Sequence, residues 1–172
     1  MSHCCSCHGS TVASKATQIL KDEHRVIEGV LDSVEQMLRS SRIDKTFFTN
    51  ALDFFRNFAD GCHHHKEEDE LFPVLEAAGV PNDGGPIGCM LNEHEQGRRL
   101  LKRVADSLDA AAAGEPAAVA AVQTASGDYI SLLRFHIQKE DNVLFNLADQ
   151  MLSEAQQKAM IEAFDRAEQH NG

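Results

Sequence analysis

No run of about 18 apolar residues occurs anywhere in the 172-residue chain, and the N-terminus has no hydrophobic signal core. A membrane-spanning helix and an export leader are thereby excluded, so the cytoplasm is the expected compartment. Basic residues are scarce: 16 Lys and Arg face 27 Asp and Glu, a net charge of −11. That balance argues against partners held by clustered positive charge, namely nucleic-acid phosphates and anionic lipid. Strand patterning is also missing, because no stretch alternates apolar and polar residues convincingly. Tyrosine occurs once, at Tyr129.

Of five cysteines, Cys62 and Cys89 lie inside helical patterns. Cys4, Cys5 and Cys7 cluster with His3 and His8 in a segment, 1–13, whose composition suits a soft metal or redox chemistry. The plainer reading of that segment is a flexible tail whose cysteines do little.

What the chain does have is helical periodicity. The stripe Leu20, His24, Ile27, Leu31, Val34 and Leu38 predicts a first helix from about Ser14 to Ser40. Asp44 is a candidate N-cap for a second, which carries Phe48, Leu52, Phe55 and Ala59 into a His run. Pro73 should kink or tighten that helix before Gly79 closes it. Residues 80–85 are turn chemistry, and Pro86 suits the first turn of a third helix ending at Gly114. Pro116 opens a fourth after a short link that forces antiparallel neighbours. Ser153 with Gln156 reads as a capping box for a short fifth helix over about 154–169. The expected class is all-α: an up-down-up-down four-helix bundle over 14–152, then a C-terminal helix and tail over 153–172.

Two internal echoes carry the chemistry. His63-His64-His65-Lys66-Glu67-Glu68-Asp69-Glu70-Leu71-Phe72 follows the same HxxxExxxLF pattern as the stretch from His136 through Glu140 to Leu144-Phe145. Glu23-His24 likewise returns as Glu93-His94, with Val30, Leu31 and Val34 standing where Leu100, Leu101 and Val104 stand. A duplicated helix pair explains both, each copy giving one lone His and one HxxxE. Four residues return to the same helix face, so each motif stacks an imidazole on a carboxylate.

His24, His94, His136 and Glu140 sit within apolar stripes, and burying unpaired ionisable groups costs several kcal/mol each against a folding stability of about 5–15 kcal/mol. A metal compensates all of them, since each Lewis base finds the same partner. The triple His allows three registers: His63 with Glu67, His64 with Glu68, or His65 with Asp69. Aligning Leu71-Phe72 on Leu144-Phe145 selects His63 and Glu67. On the fourth helix Asp141 falls about 140° from His136 but Glu140 only about 40°. The expected ligands are His24, His63, Glu67, His94, His136 and Glu140, with His64, His65 and Glu68 exposed or set behind them. Four imidazoles and two carboxylates exceed the needs of one tetrahedral zinc and suit two octahedral iron or manganese ions. With both glutamates bridging and an oxo or hydroxo bridge added, about one position per metal stays open for dioxygen, peroxide or nitric oxide.

These residues resemble the hemerythrin-like, or HHE cation-binding, family. The likeness covers about 20 to 150 and rests on Asp22-Glu23-His24, His63 through Glu68 with Leu71-Phe72-Pro73, Glu93-His94, and His136 through Glu140 with Leu144-Phe145. It implies a four-helix bundle with a carboxylate-bridged di-iron centre on those six residues, Mn or Zn being possible substitutes. The oxygen-carrying members have a second His one turn after the third-helix His and an HxxxxD in the fourth helix. Here those places hold Arg98 and HxxxE, which is nearer the branch linked to peroxide or nitric-oxide chemistry, iron sensing, or repair of iron–sulfur clusters.

The expectation is therefore a non-heme di-iron protein that reduces or disproportionates peroxide or turns over nitric oxide, with an electron donor as a candidate partner. The alternatives are a non-enzymatic sensor or store of oxygen, nitric oxide or iron, and a repair factor using the Cys4-Cys5-Ser6-Cys7 segment. Arg98, one turn after His94, and Tyr129, two turns before His136, are candidate catalytic residues: a cation that tunes an anionic ligand and a phenol that donates a proton. Their plainer readings are an Arg that reaches surface carboxylates and a Tyr packed in the core.

Overall fold

The computed structural model describes residues 15–40 and 42–171, all in or between helices. The Cys/His-rich segment 1–13, with Cys4, Cys5 and Cys7, lies outside the described residues. Helix α1 spans Ala16–Leu38 and buries Leu20, His24, Ile27, Leu31 and Val34, the stripe read from its periodicity. Asp44 starts α2 (45–77), its side chain accepting from the Phe47 backbone N–H at 3.0 Å. Helix α3 is Pro86–Ala112, and α4 runs 116–151. Helix α5 is Glu154–Asn171. Its start carries the expected capping box: the Gln156 N–H donates to Ser153 Oγ at 3.4 Å and the Ser153 N–H to Gln156 Oε1 at 3.0 Å. Gly79 and Gly114 close α2 and α3 at φ 103° and 88°, a left-handed turn that a side chain would strain.

The four long helices form the up-down-up-down bundle, α3 against α4 most extensively, while α5 packs on α1 and α2. Two apolar clusters fill it. One gathers Leu31, Phe48, Leu52, Phe55, Leu108 and Val122; the other, at the opposite end, gathers Leu20, Leu71, Phe72, Leu75, Phe145 and Phe164 from α5. Each such side chain, fully buried, contributes roughly 1.5–3 kcal/mol. The ionisable residues of the stripes lie in the band between the clusters. Among the described residues no helix is long and apolar enough to cross a membrane.

Periodicity at about 100° per residue did not reveal that α2 and α4 change their winding. Helix α2 is π-helical over Phe55–His64 and again over Glu67–Leu71, and α4 is π-helical over Glu140–Leu144. The last two stretches are equivalent in the internal repeat, each beginning at the Glu of HxxxE. A π-turn holds more residues than an α-turn, so neighbouring side chains are separated by a smaller angle, and such turns collect at functional sites. Pro73 lies two residues beyond the π stretch, in the first turn of the α-helical segment Phe72–Ala77.

Candidate metal centre

His24 on α1, His63 and Glu67 on α2, His94 on α3, and His136 and Glu140 on α4 are all buried in the middle of the bundle. Their potential donor atoms fall into two groups. His24, His63, Glu67 and Glu140 form one, and His64, Glu67, His94 and His136 the other, the atoms of each group lying within 4.8 Å of one another. Glu67 belongs to both. Its Oε1 lies 3.4 Å from His63 Nε2 and its Oε2 3.5 Å from His94 Nε2. Glu140 Oε2 lies 3.3 Å from His24 Nε2 and 3.2 Å from His136 Nε2. The two carboxylates thus stand between the α1/α2 imidazoles and the α3/α4 imidazoles.

Of the two places expected for His64, exposed or behind the ligands, the structure excludes the first. His64 is buried rather than exposed, with its ring stacked on His94 at 3.8 Å between centroids, whereas His65 does stay largely exposed and pairs with Asp69. The π winding of Phe55–His64 accounts for this. It narrows the angle between consecutive side chains, so that His63 and His64 both face inward.

The Nδ1 atoms are engaged in a regular way. Glu23 of α1 accepts from His63 of α2 at 2.9 Å, and Glu68 of α2 from His94 of α3 at 2.6 Å. Glu93 of α3 accepts from His136 of α4 at 2.9 Å, and Asp141 of α4 from His24 of α1 at 2.7 Å. Each helix braces an imidazole on the next, and the sequence of braces closes on itself. With Nδ1 directed at a carboxylate, each Nε2 faces the interior, where those of His94 and His136 lie 3.1 Å apart in a hydrogen bond. The carboxylates are held in turn: Asp141 by Arg25, Glu23 by Lys66, Glu93 by Lys139, and Glu68 by Arg98. A carboxylate behind each imidazole is the usual support of a metal-ligating His. These braces were missed in sequence, although their signal is simple: an acidic residue adjoins a predicted ligand in Glu23-His24, Glu67-Glu68, Glu93-His94 and Glu140-Asp141. The repeated Leu-Phe pairs also have a use, since Phe145 stacks on His24 and Phe72 on His94.

The protein alone leaves the centre in electrostatic conflict. Burial, with Glu140 beside it, pushes the Glu67 carboxyl well above its usual range. Burial acts on Glu140 in the same direction, but His136 and His24 outweigh it and hold that carboxylate ionised. His136, although buried, is raised to about 9 by Glu140 and Glu93. Burial and the neighbouring imidazole of His24 keep His63 neutral. Among the described residues, seven buried side-chain atoms lack any hydrogen bond: Nε2 of His24, His63 and His64, and both oxygens of Glu67 and of Glu140. Buried groups of this kind cost free energy unless something coordinates them, and borderline N/O donors in this number suit first-row transition metals. The residues present therefore fit a metal pair. A third acidic group, Glu23, Cys62 and Glu168, does not, because the Lys66 ammonium bonds to both of its carboxylates.

Beside His64, His94 and His136 lies a small cavity of ≈ 10 Å³, also lined by Asp60, Arg98 and Tyr129. That is about enough for one water. Tyr129 is buried edge-on against Phe55, and its ring takes the space beside Gly97, where a Cβ would stand 3.3 Å from Tyr129 Cε2. Burial and the nearby Asp60 raise the phenol, so it keeps its proton. Arg98 borders the cavity but points its guanidinium at Asp60 and Glu68, both at 2.8 Å.

Residues 15–148 match the model of the hemerythrin HHE cation-binding domain. The chain belongs to that family. Among curated proteins, the uncharacterized proteins Rv1995 of Mycobacterium tuberculosis and Mb2018 of Mycobacterium bovis are each 29% identical to it over 157 residues. The match takes in 89% of this chain and 61% of each relative, so the chain spans less than two thirds of their length. No solved structure matches it. Within this HHE domain the band of histidines and glutamates between the two apolar clusters is the candidate cation site.

Proposed function

We propose that this HHE-domain chain is a non-heme di-iron protein that binds a small ligand, dioxygen, peroxide or nitric oxide, and turns over peroxide or nitric oxide. The observation that carries the reading is the pair of buried donor groups sharing Glu67, with every imidazole braced at Nδ1 and with Nε2 facing inward. His24 and His63 would hold one ion and His94 and His136 the other, with Glu67 and Glu140 bridging them. The iron pair supplies redox electrons and a coordination position for the small ligand. The chain supplies the rest: the Nδ1 braces fix the imidazoles, the apolar clusters exclude bulk water, and the ≈ 10 Å³ cavity limits what enters. Tyr129, which lines that cavity with its phenol protonated, would donate a hydrogen bond or a proton to the small ligand.

The test is metal analysis after expression with iron supplied, followed by peroxide and nitric-oxide turnover. Two irons per chain with turnover of either substrate are expected. Two irons without turnover of either would leave a binding protein and reject the redox reading.

A further inference from the structure

The internal repeat breaks at Gly97. Glu23-His24 with Val30, Leu31 and Val34 on α1 answers to Glu93-His94 with Leu100, Leu101 and Val104 on α3, so Ile27, three residues after His24, answers to Gly97, three after His94. Ile27 is a buried member of the apolar core. Gly97 is buried too, in the interior of a 27-residue helix, where glycine is less favourable than alanine because it gives the unfolded backbone more freedom to lose.

Close approach of two helix backbones is not the reason for it. A Cβ at position 97 would meet Tyr129 Cε2 at 3.3 Å and Cδ2 at 3.8 Å, and among the described residues it would meet nothing else within 4 Å outside its own helix. The missing side chain is matched to one partner, the Tyr129 ring across the α3/α4 interface. Gly97 and Tyr129 together line the ≈ 10 Å³ cavity beside His94 and His136. A second cavity, of ≈ 20 Å³, is lined by Tyr129 but not by Gly97, and its other walls are apolar, among them Val34, Phe48, Phe55 and Val104. A Cβ at 97 would press the ring by a few tenths of an ångström, and this apolar cavity gives the ring somewhere to go. Yielding that way takes Tyr129 away from the histidines.

We infer that Gly97 is a positioning residue for Tyr129, withholding a side chain so that the ring is seated against the cavity beside His94 and His136. The inference rests on the di-iron reading above, with Tyr129 as the donor to the small ligand. On α1 the equivalent place is filled by Ile27, so the α1/α2 half offers no such seat.

The test compares wild type, Gly97→Ala, Tyr129→Phe and the double variant as full chains loaded with iron, by turnover of hydrogen peroxide or nitric oxide, whichever the wild type consumes. Gly97→Ala should bind two irons and unfold at no lower denaturant concentration than wild type, because alanine favours the helix and the ring can yield. Its kcat should nevertheless fall about 100-fold at unchanged KM, as for a contact made only in the transition state. Tyr129→Phe should lose about as much, and the double variant no more than either, since both changes remove the same contact. Wild-type kcat in Gly97→Ala, a double variant whose loss is the product of the two, or a Gly97→Ala chain that unfolds more easily or fails to fold would overturn the inference. The ring position is read separately in the Zn(II)-loaded chain, where Tyr129 is the only tyrosine and ring labelling reports it alone. Nuclear Overhauser contacts from the ring to Val34 and Phe48 should strengthen in Gly97→Ala, and contacts unchanged from wild type would overturn the seat. A wild-type chain that holds two irons yet consumes neither substrate would reject the redox reading instead, and the ring contacts alone would then decide whether Gly97 seats Tyr129.

Discussion

Each carboxylate at the centre has one of two jobs, decided by a step of one residue. Glu67 and Glu140 are fully buried and lack hydrogen bonds, whereas Glu68 and Asp141 stand at the edge and hold His94 and His24 by Nδ1. Glu67→Ala is therefore expected to abolish binding of at least one iron. Glu68→Ala should keep both irons with affinity lowered about 10–100-fold, the cost of losing a brace. Equal losses in the two variants, measured by iron titration, would contradict the division. Tyr129→Phe keeps the ring against Phe55 and deletes only the hydroxyl. At unchanged iron content its turnover should fall about 100-fold or more if the phenol supplies the proton. Turnover equal to wild type would leave Tyr129 a packing residue.

The helices differ in how readily they are read. The apolar stripe of α1, the Asp44 cap, the Gly79 and Gly114 stops and the Ser153–Gln156 box are local chemistry, legible because each needs only residues a few positions apart. The internal repeat identified the six central residues that the fold brings together, because the duplicated helix pair keeps equivalent positions equivalent. The π stretches were not legible. They depend on the packing that rewards a wider turn, and counting at a fixed angle leaves His64 outside and Asp141 idle. The cross-helix braces were hidden for the same reason, since a Glu next to a His on one helix says nothing about which neighbouring helix it reaches. Helix α5 adds a link of this kind. Lys66 is fully buried on α2 and bonds to Glu23, the brace of His63, and to Glu168 of α5 at 2.5 Å. Lys66→Met leaves Glu23 without its buried partner and should cost about 3 kcal/mol in chemical denaturation. Glu168→Gln, at a half-exposed position, should cost less than about 1 kcal/mol. The reverse order would show that α5 rather than Glu23 depends on Lys66.

Across the whole molecule the same acidic and basic residues that make the surface polar close a ring around the centre. Glu23, Glu68, Glu93 and Asp141 each reach from one helix to an imidazole on the next, backed by Lys66, Arg98, Lys139 and Arg25. The ring ties four helices together about a core that is electrostatically unsatisfied without a cation, so folding and metal uptake should be coupled. The most direct test is a crystal structure of the iron-loaded chain with anomalous diffraction at the iron edge. Two peaks are expected in the band between the apolar clusters, each within about 2.0–2.3 Å of its ligands, with His24 and His63 on one, His94 and His136 on the other, and Glu67 and Glu140 on both. A single peak, a peak elsewhere in the bundle, or Glu68 and Asp141 in the place of Glu67 and Glu140 would contradict it.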